Sequence, residues 1–305
     1  MRRIAYQPAS AGSGGGGAPT VGALVVGPNY GETDKPAVGA HAEMPTIAFI
    51  NNRDVSAQIQ MPGIAFVNDR AVSAHLGASY LGAPNLLGVG ITTQTANSTS
   101  VVMTPDATAN DGDYLVVNIC SSTIGASESF TAPSGWSLIL SSTHTDVAQT
   151  PNLRTYTKFA GAGEPSSYTW TGGSNVAHIA TIFRFSAVDT TTPINASAAT
   201  TLSLSAADPV SPSITTTVAN CFMLSVCVQQ NLLTQTYTPP SGYVEQADQT
   251  GSHLGVAQTT GEAASRVQAA AGASGTATHN SNQTVASNYV AHHIAIAPGT
   301  LVLQA

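Results

Sequence analysis

Charge is what this chain has least of. Only 8% of its 305 residues are Asp, Glu, Lys or Arg, against roughly 25% in ordinary domains. Ser, Thr, Asn and Gly solvate it instead. With 9 basic and 16 acidic side chains the net charge is −7, which offers no electrostatic footprint for a nucleic-acid partner. At 42% apolar residues the composition also excludes a disordered chain, which would be charged and poor in apolar residues. No stretch approaches the roughly 20 apolar residues that a membrane-spanning helix needs, so no membrane insertion is expected. Met1-Arg2-Arg3 leads into a polar, Gly-rich segment, not an apolar one, so no secretory signal is expected. Cysteine is scarce and odd in number: Cys120, Cys221 and Cys227. That argues against a disulfide framework and for buried free thiols acting as small apolar residues. Helix patterning is missing too, since the Ala-rich run 261–273 is bracketed by Gly261 and Gly272 and has a weak apolar face.

Catalytic signatures are equally sparse. Serine is abundant, yet no G-x-S-x-G elbow occurs. Asp146, Glu164, Asp189 and Glu245 are scattered and form no clear pair for acid–base work. Gly12-Ser13-Gly14-Gly15-Gly16-Gly17 matches G-x-G-x-x-G in letter only, with no strand before it and no helix after it. It reads as a tether. Of eight histidines only His292 and His293 are adjacent, and neighbours on a strand point to opposite faces. Asp106, Asp111 and Asp113 precede a strand, where turn chemistry competes with a calcium site. The expectation is a non-enzyme with no cofactor and no metal.

What is present is a repeat. Met44-Pro45-Thr46-Ile47-Ala48-Phe49-Ile50-Asn51 recurs as Met61-Pro62-Gly63-Ile64-Ala65-Phe66-Val67-Asn68, a period of 17 residues. Val21, Val38, Val55, Val72 and Val89 keep the same phase, and His41 and His75 lie two periods apart. A fixed period over several units signals a stacked array. Each unit reads as two short strands with Asn- or Asp-marked turns, too small to bury a core alone. It must stack on neighbours in a single-chain sheet, or on other copies of the chain as a trimeric shaft.

From residue 88 onward the pattern changes to longer strands: 114–119, 136–142, 153–159, 168–171 and 177–185, each bounded by turn residues. This region repeats as well. Residues 112–120 align with 219–227 at an offset of 107, and Pro133-Ser134-Gly135-Trp136 aligns with Pro240-Ser241-Gly242-Tyr243. His178-Ile179-Ala180 aligns with His293-Ile294-Ala295. On that alignment Cys120 matches Cys227. Leu115, Val117 and Ile119 match Phe222, Leu224 and Val226, and alternation turns both triplets into one shared core.

Two resemblances follow. The unit with its Pro- or Gly-marked turn resembles the triple β-spiral shafts of viral fibres. The segments Gly-Asp-Tyr-Leu-Val-Val (112–117), Pro-Ser-Gly-Trp (133–136), residues 156–170 and residues 183–194 resemble a β-sandwich module of bacteriophage tail- and head-associated proteins, over roughly residues 88–298. The resemblance implies a virion component and no catalytic residues. The expected fold is all-β: a Gly-rich anchoring arm (1–19), a β-repeat shaft or collar that trimerises (20–90), a jelly-roll-like β-sandwich head of two similar halves (91–299) and a tail (300–305). The expected function is structural, as a capsid decoration protein, head fibre or tail fibre. Arg2 and Arg3 would dock the arm on capsid or tail proteins. The alternative is a module binding host surface glycans, with Trp136, Trp170 and Tyr243 as stacking rings.

Overall fold

The computed structural model describes residues 47–50, 64–67, 82–123, 127–146, 150–200, 204–231, 235–253 and 257–299. Arg2, Arg3, His41, His75, the remaining repeat strands and the 300–305 tail lie outside the described residues. The chain divides into two compact units between Ser79 and Tyr80.

In the first unit, β1 (Ile47–Ile50) and β2 (Ile64–Val67) pair in parallel. Each residue faces its own repeat-mate: Ile47 with Ile64, Ala48 with Ala65, Phe49 with Phe66, Ile50 with Val67. The pairing register therefore equals the sequence period.

The second unit is all-β among its described residues, as expected. Its first half runs β3 (Asn85–Thr93), β4 (Ser98–Met103), β5 (Tyr114–Thr123), β6 (Ser137–Thr143), β7 (Thr150–Phe159), β8 (Tyr168–Val176) and β9 (His178–Ser186). The second half runs β10 (Ile194–Ala199), β11 (Leu204–Ala206), β12 (Val210–Ser211), β13 (Thr215–Thr216), β14 (Cys221–Asn231), β15 (Tyr237–Thr238), β16 (Val244–His253), β17 (Ala257–Gln268), β18 (Gly272–Ala273), β19 (Ala277–Thr278), β20 (Asn280–Ser281) and β21 (Ser287–Ile296). The Ala-rich run is largely strand β17. Asn85, Val89 and Gly90, which keep the repeat phase, belong to β3, so the sheet begins before residue 91.

Each half builds its own sheet, and the two orders are the same. The first is β3-β9-β5-β7-β6, the second β10-β21-β14-β17-β16. The sheets stack face to face, with β3 against β16, β9 against β17, β7 against β21 and β6 against β10. Exchanging the halves exchanges these contacts, so the sandwich has an internal pseudo-twofold along its strands. Between the sheets lie Tyr114, Val116, Phe183 and Phe185 from one half and Phe222, Leu224, Val226 and Ile294 from the other.

The ladders correct the register by one residue. One row across the first sheet reads Val89, Phe183, Val116, Thr157, Ser137. The matching row in the second reads Ser197, Ile294, Leu224, Ser265, Val244. Val116, not Val117, is the counterpart of Leu224. Leu115, Val117 and Ile119 face away from the partner sheet, into a separate core under the β4–β8 ribbon. Matching Cys120 to Cys227 misplaces the alignment, because these thiols point to opposite faces. Turn chemistry marks the true register. Gly112 (φ 85°) and Asn220 (φ 59°) both hold left-handed backbone just before their strands, a conformation Gly and Asn tolerate. Likewise His178 corresponds to Tyr289, each directly across from its central strand at Ser121 and Gln229, and not to His293. Cys221 and Cys227 do share the outer face of β14.

Candidate functional site

The two tryptophans are core residues. Trp170 is fully buried, and Trp136 is 8% exposed. Trp170 packs against Trp136 at 5.0 Å and Tyr156 at 5.7 Å between ring centroids, and Trp136 meets Tyr168 edge-on at 5.1 Å. Their faces are spent on one another, and stacking on a sugar does not fit either. Tyr243 is half-buried. Its hydroxyl bonds His293 Nε2 at 2.8 Å, and the Arg266 guanidinium lies 4.9 Å from its ring centre.

Asp106 and Asp113 of the aspartate cluster form an ion-pair site, and Asp111 is exposed. Arg184 reaches Asp106 and Asp113, both at 3.1 Å, and Asp113 also caps Asn110 N. Gly88 makes this possible, because a Cβ there would collide with the Asp106 carboxylate. Arg184 supplies the positive charge a cation would have brought. No group of three or more metal-ligating side chains occurs among the described residues. The three cysteines are free and buried, and burial pushes Cys120 up to about 12.

The adjacent histidines diverge as alternation requires. His292 points between the sheets, with Nδ1 2.8 Å from Thr155 Oγ1 and Nε2 3.2 Å from Ser142 Oγ. Thr155 gives its hydroxyl hydrogen to Asn118 Oδ1, and Ser142 donates to Thr200 O. His293 points outward and donates Nδ1–H to Pro212 O at 2.8 Å. Burial pushes His292 down to about 3, with nearby Arg154 adding to it. Burial also pushes His293 down to about 4, against the Pro212 bond and aided by Arg266 and His279.

One constellation with catalytic form has no signature in the sequence. On the outer face of the second sheet, Ser225 Oγ lies 2.8 Å from His279 Nε2, and His279 Nδ1 lies 2.6 Å from Glu262 Oε2. Ser225 sits on central strand β14 and Glu262 on neighbouring β17, while His279 comes from the segment between β19 and β20. A nucleophile, a base and an orienting carboxylate thus stand in hydrogen-bonded series. Yet Ser225 and His279 are fully buried and Glu262 is 1% exposed. Ser225 directs its one hydroxyl hydrogen to Ser211 Oγ at 2.9 Å, away from His279, and Ser211 donates to His292 O. The series pins β12 and the 277–281 segment across the sheet. A substrate has no contact with Ser225 in this arrangement. In the first half the position of Glu262 is taken by Arg154, whose guanidinium clamps Glu128 O and Ser142 O. Each half staples its outer layer with a buried ionisable side chain, basic in the first and acidic in the second.

No protein-family model, curated protein or solved structure matches the chain.

Proposed function

We propose that the chain is a non-enzymatic structural component of a bacteriophage virion, as a capsid decoration protein, head fibre or tail fibre. It would be anchored by its N-terminal arm through Arg2 and Arg3 and display the sandwich as a head. The observation that carries this reading is the use made of reactive groups. The Ser225–His279–Glu262 series, the Asp106–Arg184–Asp113 pairs and the indoles are all consumed in fastening layers together. A repeat followed by a duplicated, polar-skinned sandwich suits a protein that holds and presents. The alternative, a host-glycan-binding module, retains only Tyr243 of its three rings, and that ring is already engaged by Arg266 and His293.

Deleting residues 2–17 tests the anchoring. Particles grown with the deletion variant as the sole copy should lack the protein, while the soluble variant keeps the circular dichroism and melting temperature of the full chain. Incorporation of the deletion variant at the wild-type level contradicts the anchor. Failure to find the wild-type chain in purified particles contradicts the virion role itself.

Association is proposed to run through residues 20–90, as a homotrimer. Light scattering on the full chain should return three times its 30.9 kDa mass. A monomer at micromolar concentration contradicts it.

A further inference from the structure

The internal pseudo-twofold makes each half a control for the other, and one buried position differs in a way that calls for a ligand. On the outer face of the first sheet, Ser121 of β5 stands between Asn152 of β7 and His178 of β9. The matching position in the second half is Gln229, between Thr260 and Tyr289. There the long side chain completes its own bonds. Its Oε1 accepts from Gln235 Nε2 at 2.8 Å and Tyr237 OH at 2.9 Å, and its Nε2 donates to Ala206 O at 2.8 Å.

Serine has three heavy atoms fewer, and its own Oγ, His178 Nε2 of its cross-strand neighbour and Glu128 Oε1 have no partner. All three residues are at least 98% buried. Glu128 Oε1 and His178 Nε2 face each other 3.9 Å apart, too far for a direct hydrogen bond. The donor inventory explains why they do not close. Gln94 Nε2 donates to Ser100 O, which fixes Gln94 Oε1 as the acceptor of His178 N and Nδ1. His178 Nδ1 therefore carries the hydrogen, and in the neutral ring Nε2 presents a lone pair. A lone pair and a carboxylate oxygen facing each other need a donor between them. Ser121 offers a hydroxyl that must also be satisfied.

We propose that Ser121, Glu128 and His178 form a binding site for one internal water molecule. It donates to Glu128 Oε1 and His178 Nε2 and accepts the Ser121 hydroxyl. Two acceptors and one donor are the complement of a single water, and about three hydrogen bonds is the usual complement of a buried one. A water at about 2.8 Å from both nitrogen and oxygen spans their separation. The water does in the first half what the Gln229 amide does in the second. It ties the segment carrying Glu128, which also clamps Arg154 through its carbonyl, to the sheet beneath.

A high-resolution crystal structure of the full chain tests this, together with one of S121Q. The wild-type map should show a peak at about 2.6–3.2 Å from all three atoms, and S121Q should lose it to the new amide. Three results overturn the proposal. One is a direct Glu128–His178 bond with no peak. The second is a peak at about 2.0–2.2 Å from Nε2 and Oε1 with an anomalous signal, which is a metal ion. The third is a peak that persists unchanged in S121Q. Should S121Q fail to fold, the wild-type map alone decides.

Discussion

As the pH falls below about 6.5, the ordinary histidine value, the sandwich loses stability steeply. His292 and His293 are held neutral in the fold, pushed down to about 3 and about 4 by burial. The unfolded chain takes up protons from about pH 6.5 downward, while the folded chain does so only near pH 4 and pH 3. Their contribution is therefore fully present above about pH 6.5, declines as pH falls, and is exhausted below about pH 3. A pKa displaced by one pH unit is worth about 1.36 kcal/mol, so the pair together is worth several kcal/mol, against a usual margin of about 5–15 kcal/mol. Asp248 works the other way. Burial raises it to about 6, so its protonation favours the fold in acid, by less than the two histidines disfavour it. Urea melts across this range should show a falling midpoint. His292→Gln, although less stable near neutrality, should show a shallower fall. A wild-type midpoint that is flat from about pH 7 to about pH 4, across the ordinary histidine range, contradicts the buried placement of both rings.

Truncating Trp170 to Ala should be the most damaging single change. The indole is fully buried and anchors β8 against Trp136 and Tyr156. Removing a core Trp or Phe side chain costs about 3–5 kcal/mol, and here it also loosens the β4–β8 ribbon from the sheet. Leu224→Ala, in the core between the sheets, should cost about 2–5 kcal/mol. Leu115→Ala should fall in the same range although it empties the other core. Denaturant melts of the folded variants give all three values. A near-neutral Trp170→Ala would return the indole to the surface and revive the glycan-stacking role.

The class and the halving of the fold were legible because strands and their turns are local. Alternation, Pro-Ser-Gly turns and bounded apolar runs marked β5 to β9 and, in the second half, β14 and β21. Register was not legible by similarity. The apolar residues leading up to Cys120 and Cys227 are chemically alike on either face, whereas the left-handed Gly112 and Asn220 carry the real correspondence. Strands β10, β16 and β17 were hidden by their content of Ala, Ser, Thr, Gly and Gln, whose pattern shows no apolar alternation. Ser225, Glu262 and His279 were illegible for another reason. Their spacing follows from which strands neighbour each other, and no local motif encodes that. Trp136 and Tyr243 follow matching Pro-Ser-Gly turns, a recurrence that favours a structural role, whereas the burial of Trp170 depends on tertiary packing that no local motif encodes.

Two duplicated sheets form one body through a shared core, and the functional reading depends on that union. Phe185 and Phe222 meet across it edge-on at 5.0 Å, and Thr155 bonds His292 from the opposite sheet. Native-state hydrogen exchange on the amides of β5 and β14 reads this directly, since cooperative units exchange with a common opening free energy. The two strands should exchange with the same free energy and the same urea dependence. One strand opening several kcal/mol below the other would mean that the halves are independent domains.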